Sequence, residues 1–530
     1  MNSGWWKRLS ASKADIVVFL ALLVAAIKYV TGVDHVVDVL FYDESLYLVA
    51  GVKLAARGLY CPECGPLYAP LYNAWYFLLS HLTHDNLSLY WLNYKLMAVL
   101  PALLIYILMR KNNVSMLASA AIAVVILTSS ANLPVWPKPS HMGIIVTLAF
   151  LIPASSTRSI PAALGFAAAG AFISSYVRPE YFLTSVLLGA SLAGWIVWTK
   201  AWRDRTATLP LAGVLALAAA VIAAIGLPVS GSRSICAFGQ HFALYWVAWT
   251  GSDLHPWVDW QVIFTQNFGD AHGMLDVIRN NPHMFLKHVG ANVAGLVKNF
   301  GMLFPVHMFG DKIAKVGIVV VIGWLFVVRR ASVRAMAREH RTYLFIVALF
   351  LLAGLISIVT VFPRPHYFVY PVFLITSTLA LLLTGRQTPE EPRGVGYALL
   401  LSCLILAVTP SPFLNLTDDA QTNTRAIRLV QGLHITKPVR ILEAEGGFDI
   451  YMGDNFQRIG EAEKDRGFAA FLAARDINMV VVTDLLASDL RFRNDPEWQA
   501  FLGSPQESGF TQYAVPASKT KILVRNDILP

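Results

Sequence analysis

The sequence predicts an all-α polytopic membrane protein that carries a small α/β domain at its C-terminal end. Three observations carry this expectation. The 530-residue chain is 56% hydrophobic and 14% charged, whereas a soluble domain carries about a quarter charged residues. Its apolar residues gather into eleven long runs that stop near residue 409, and the sequence beyond is polar. Its basic residues concentrate in alternate short gaps between the runs. Lys7, Arg8 and Lys13 precede the first, Lys200, Arg203 and Arg205 follow the sixth, and five arginines lie between Arg329 and Arg341. That asymmetry is the positive-inside pattern. The formal charge of +9 therefore reports orientation, not a nucleic-acid partner.

The runs cover roughly 14–31, 91–109, 114–131, 139–154, 160–177, 181–199, 209–229, 312–328, 342–361, 366–384 and 395–409. Each approaches the length that crosses about 30 Å of hydrocarbon, the shorter ones by tilting or lying partly in the interface. No small-residue cleavage site follows the first run, so it reads as a retained anchor. Eleven crossings from a cytoplasmic N-terminus place the tail on the outer side. Lys312 and Lys315 sit on the wrong side of this scheme, which makes the start of the eighth run its weakest point. The predicted domains are a membrane domain, 1–409, with outer loops about 32–90 and 230–311, and a soluble domain, 410–530.

In the first outer loop, Leu46, Val49, Ala50, Lys53, Leu54 and Arg57 follow a helical spacing that ends at Gly58, a C-cap glycine. The second holds Tyr245, Trp246, Trp249, Trp257 and Trp260, residue types that favour the headgroup level. In the tail, Val439–Glu443 and Met479–Thr483 read as strands around a helical pattern at 461–475, an α/β order. Lys519–Arg525 reads as an edge strand. Gly446-Gly447 follows the first strand without any phosphate-cradling pattern. Cys61 and Cys64 face an oxidising compartment and most simply form a small-loop disulfide; two ligands alone are too few for zinc.

Four outward-facing clusters carry the candidate chemistry. Asp43-Glu44 opens the first outer loop. Lys138 and His141 lie at the third-to-fourth turn, Arg178 and Glu180 at the fifth-to-sixth, and Arg364, His366 and Tyr367 at the ninth-to-tenth. Carboxylates next to a membrane helix are functional candidates, although anions also suit a helix N-terminus, and a lone Arg-Pro turn is usually an interfacial anchor. Three basic turns on the side of an acidic pair suit one chemistry. Arg and Lys neutralise a phosphate leaving group, and Asp or Glu acts as general base on an acceptor hydroxyl.

These residues resemble the GT-C glycosyltransferases. Tyr42-Asp43-Glu44-Ser45-Leu46-Tyr47 and Gly65-Pro66-Leu67-Tyr68-Ala69-Pro70 look like the first outer loop of the branch containing protein O-mannosyltransferases and the lipid A aminoarabinose transferase. Arg178-Pro179-Glu180 and Pro365-His366-Tyr367 look like turns of the same superfamily. The resemblance covers about 14–385 and implies a multi-pass protein of the bacterial inner membrane, an outward-facing active site and a periplasmic tail. It further implies inverting transfer of one sugar from a polyprenyl-phosphate donor to a glycan, lipid or protein acceptor. In its terms Asp43 is the base, Glu44 its positioning neighbour, and Arg178, Arg364, His366 and Lys138 the donor-phosphate contacts. Glu180, Tyr68, Tyr72, His141 and Tyr367 line the substrate cleft. The chain departs from the aminoarabinose transferases at Glu63-Cys64-Gly65-Pro66, which lacks their acidic–basic pair, so neither sugar nor acceptor carries over. Related oligosaccharyltransferases use a divalent cation, for which Asp270, His272 and Asp276 on one helix face are candidates; spacing alone does not close a coordination sphere, and no metal is assigned. The alternatives are an oligosaccharyltransferase using a lipid-diphosphate glycan, or a flippase for lipid-linked sugars. A transporter would favour ionisable residues near the bilayer midplane and paired repeats.

Overall fold

A computed structural model describes residues 13–41, 43–58, 69–133, 136–229, 233–257, 259–298, 312–384, 395–413, 421–459, 466–489 and 491–530. Cys61, Cys64 and Tyr68 lie outside them. Among the described residues, six helices are long and apolar enough to cross a membrane: Lys13–His35, Asn86–Lys111, Pro139–Ser156, Tyr181–Trp198, Arg205–Ile225 and Arg341–Thr360. The helix Arg205–Ile225 has a mean hydropathy of 2.4 with none of its apolar window buried in the protein. Such a surface costs about 25 cal/mol per Å² to hold in water and nothing in lipid. Ile16, Leu20, Val24 and Ile27 likewise form an exposed stripe along the first helix. These features fit a multi-pass membrane protein.

The other five predicted runs are also helical but shorter, from 12 residues at Met116–Leu127 to 17 at Lys312–Val328. A 12-residue helix rises only about 18 Å. Helix length thus establishes six candidate spans, not eleven.

The chain divides into two compact units. One comprises Met1–Tyr29, Ala55–Ala74 and Lys95–Pro410; the other comprises Val30–Leu54, Trp75–Tyr94 and Ser411–Pro530. Two stretches of the first outer loop therefore belong with the tail. In the first unit, local order follows sequence signals. Asp204 caps the helix Arg205–Ile225 by accepting from the Thr206 N–H at 2.8 Å, and Gly226 ends it at φ 76°. The second outer loop forms the helices Arg233–Thr250, Trp260–Phe268 and Pro282–Lys298, whose Phe238, Phe242, Phe264 and Phe268 make a small aromatic core.

In the second unit, strands β1 (Val439–Leu442), β2 (Phe456–Arg458), β3 (Met479–Val482), β4 (Phe510–Ala514) and β5 (Lys521–Arg525) form one sheet in the order β2-β1-β3-β5-β4. β1 runs parallel to β2 and β3, whereas β5 is antiparallel to β3 and β4. The predicted edge strand is thus interior. Its terminal Lys521 and Arg525 suggest an edge, but Ile522, Leu523 and Val524 between them are buried on both faces. The edges are β2 and β4. Of the predicted 461–475 helix, Phe468–Ala474 is helical and 460–465 lies outside the described residues. The core gathers around Trp498, packed on Phe468, Phe492 and Phe501.

The predicted first-loop helix runs from Asp43 to Val52 and resumes over Leu54–Arg57, with Gly58 at φ 78° behind it. Glu44, Ser45, Tyr47, Leu48 and Gly51 face inward, and Leu46, Val49 and Ala50 stay half-exposed. Just ahead of it, Asp38 caps a helix of the tail. The helix Thr422–Gly432 has no cap from its own Gln421 side chain. Asp38 Oδ2 accepts from the Asn423 N–H at 2.8 Å and Oδ1 from the Thr424 N–H at 3.0 Å. Replacing a capping carboxylate costs about 0.5–2 kcal/mol. Asp38→Ala is therefore expected to lower the melting temperature of the full-length protein and to speed amide exchange at Asn423 and Thr424.

Glu443, after β1, is buried and accepts at Oε1 from the Gly447 and Phe448 N–H groups at 2.9 and 3.0 Å. Burial pushes its pKa up to about 7 from the ordinary 4.5, against those hydrogen bonds and Arg458. Between these values the folded state holds more of this proton than the unfolded state. This stability is present below the unfolded pKa and is lost as pH rises through the folded one. Relative to Glu443→Gln, the wild-type melting temperature should fall as pH is raised from about 5 to about 8.

Candidate active site

The acidic pair separates into two environments. Asp43 starts the helix Asp43–Val52 and is exposed, whereas Glu44 is only 1% exposed. Both carboxylates lie in the first turn, where the helix dipole favours them. Glu44 Oε1 accepts hydrogen bonds from the Tyr76 hydroxyl and from Asn93 Nδ2, the latter at 3.0 Å. Asn93 Nδ2 also lies 2.8 Å from the Tyr76 hydroxyl, and its Oδ1 accepts from Trp75 Nε1 at 2.9 Å. Glu44 is thereby an internal anchor of its helix. Its neighbour Ser45 donates from Oγ to the Leu40 carbonyl at 2.7 Å and lies 2.6 Å from the Tyr451 hydroxyl.

Three basic turns meet within the other unit. Lys138 is fully buried, and its Nζ donates to the Asn132 carbonyl at 2.7 Å. His141, in the first turn of Pro139–Ser156, is fully buried. Arg178 pairs with Glu180 Oε1 at 2.6 Å through Nη2 and 2.8 Å through Nε, and its guanidinium lies 4.4 Å from the Tyr367 ring centroid. Burial opposes the Arg178 charge, but Glu180, Tyr367 and Tyr181 outweigh it and raise the pKa. Arg364 stacks over Trp257 at 4.8 Å.

His366 links these turns. It is buried, hydrogen-bonds the Trp136 backbone, and lies with its ring centroid 4.3 Å from that of Tyr367, the two rings tilted by 46°. Burial, then the charges of Arg178 and Arg364 and the nearby His241, holds its pKa well below the usual imidazole range. His241 is held at about 3, by burial first and then by Arg364. Its Nδ1 is 2.6 Å from the Ala237 carbonyl, and its buried Nε2 has no hydrogen-bond partner. Both shifts disfavour the imidazolium form, leaving Arg178 and Arg364 as the fixed cations nearest these rings. The three turns supply one carboxylate, Glu180. Buried cations need compensation, which Glu180 supplies to Arg178.

The remaining predicted residues fall elsewhere. Tyr72 is fully buried in Pro70–Ser80. The predicted common helix face for Asp270, His272 and Asp276 does not form: the helix there is only Met274–Asn280. Asp276 accepts from the backbone N–H groups of Gly273 and His272, while Asp270 and His272 are solvated. No group of three or more metal-binding side chains occurs among the described residues.

Sequence reasoning missed Tyr76, Asn93, Ser45, Tyr451 and His241. Asn93 carried a signal, since a polar side chain next to an apolar run usually has a partner; the others had none. Neither protein-family models nor curated proteins match the chain.

Removing the Glu44 carboxylate leaves Asn93 and Tyr76 without their shared acceptor, at about 1–3 kcal/mol. Glu44→Ala is expected to lower the melting temperature clearly and Glu44→Gln less, read by thermal denaturation of the full-length protein in detergent.

Proposed function

We propose that the protein is an integral-membrane glycosyltransferase of the GT-C type. It moves one sugar from a polyprenyl-phosphate donor to a periplasmic or membrane-associated acceptor, with inversion. The reading includes eleven crossings of a bacterial inner membrane, a cytoplasmic N-terminus and a periplasmic tail. The observation that carries it is the grouping of Arg178, Arg364 and His241 around His366, with Arg178 paired to Glu180. A phosphate monoester leaving group is an anion of the kind such a cluster stabilises.

In the reaction, the acceptor hydroxyl oxygen forms a bond to the anomeric carbon while the bond from that carbon to the phosphate oxygen breaks. Asp43 takes the hydroxyl proton, and the electron pair leaves with polyprenyl phosphate. The exposure of Asp43 supports its role as base, and the internal bonds of Glu44 support its role in holding the helix. Arg178, Arg364 and Lys138 neutralise the departing phosphate. His366, held away from its charged form, packs between the arginines without adding repulsion.

General-base removal costs about 10²–10⁴ in rate. In an in-membrane transfer assay, Asp43→Asn should lose turnover to that extent while remaining folded; near-normal turnover ends the base assignment. Arg364→Ala should raise the donor KM. Mass spectrometry of the product should show a single-sugar increment, and a multi-sugar increment contradicts this reading.

A further inference from the structure

We propose that Tyr451, in the C-terminal domain, is a positioning residue for the helix that carries Asp43. This inference rests on the proposed use of Asp43 as base. Because Ser45 Oγ donates to the Leu40 carbonyl at 2.7 Å, the 2.6 Å contact between Ser45 and Tyr451 has the tyrosine hydroxyl as donor. The Ser45–Leu40 bond spans the backbone around Asp43 and Glu44, so Tyr451 fixes the start of their helix at a buried point. Leu40 is held from its other side, its N–H donating to the Tyr90 hydroxyl at 2.8 Å.

The tyrosine is itself braced. Asn86 Nδ2 donates to the Ile450 carbonyl at 2.6 Å, and Gln431 Nε2 to the Tyr451 carbonyl at 2.9 Å. Phe41 packs against Phe448 and Tyr451 with ring centroids 5.9 and 6.1 Å away. Gly447, at φ 151°, brings the backbone next to Phe41 and Ser45 in a conformation that other residues rarely adopt. The loop after β1 is thus shaped to receive the segment that leads into the acidic pair. Glu44 sets the rotation of the helix from inside, and Tyr451 sets the position of its first turn. A side chain some four hundred residues distant in sequence then controls where Asp43 points, and catalysis is sensitive to misplacement of about 1 Å.

The test compares full-length wild type, Tyr451→Phe, Ser45→Ala and the double variant. Tyr451→Phe keeps the ring packing and removes one neutral hydrogen bond, a loss that corresponds to roughly fivefold in a local opening equilibrium. Hydrogen exchange at the Tyr47 and Leu48 amides should be roughly fivefold faster in each single variant, no faster in the double than in either single, and unchanged in β3. In transfer assays, kcat should fall while the donor KM stays near wild type. Unchanged exchange at Tyr47 and Leu48 in both single variants overturns the positioning role, whatever Asp43→Asn does. Faster exchange accompanied by normal turnover in Asp43→Asn keeps the contact as a helix-fixing one and overturns its catalytic purpose. Ser45→Ala decides the matter if Tyr451→Phe does not fold.

Discussion

A carboxylate with almost no exposed surface organises the segment that surrounds it. Glu44 requires hydrogen-bond donors in place of water, and Tyr76 and Asn93 supply them. Once these bonds form, the helix Asp43–Val52 cannot rotate without stranding a charge, a penalty larger than most single contacts contribute. Tyr47, Leu48 and Gly51 go inward with Glu44, and Asp43 goes outward. Two adjacent residues of the same chemistry thereby acquire opposite roles, one internal and one presented to solvent. The Ser45 and Asp38 contacts extend the same restraint to either side of the pair.

The basic cluster obeys a related constraint. Three chain segments bring Arg178, His241 and Arg364 into electrostatic range of His366, which would be untenable with every group charged. Burial that disfavours the imidazolium forms, the Arg178–Glu180 pair, and stacking of arginines on Tyr367 and Trp257 make it tolerable. What results is a set of cationic donors already ordered by packing. Preorganised donors of this kind are suited to an anion whose charge grows during reaction.

The membrane character and the small C-terminal sheet were legible in the sequence because each rests on a strong periodic signal. Apolar runs such as 209–229 have no other comfortable environment, and the β-branched run Met479–Val482 has little alternative to a strand. The interior position of β5 was not legible, because its flanking Lys521 and Arg525 resemble edge charges and only the pairing with β4 covers it. The acidic pair and the basic turns could be picked out as charged residues near helix ends. Their partners could not, since Tyr76, Asn93 and Tyr451 meet residues 44 and 45 across long separations. The proposed metal face failed for a local reason: Asp276 is used by the backbone at its own helix start, and Asp270 precedes the helix.

The central claim is that the basic cluster holds the phosphate of a lipid-linked sugar. It is tested most directly by determining the structure of the full-length protein with a short-chain polyprenyl phosphate bound. The account predicts the phosphate within hydrogen-bond reach of Arg364 and at least one of Arg178, His366 and Lys138. A phosphate bound away from all four residues would contradict it.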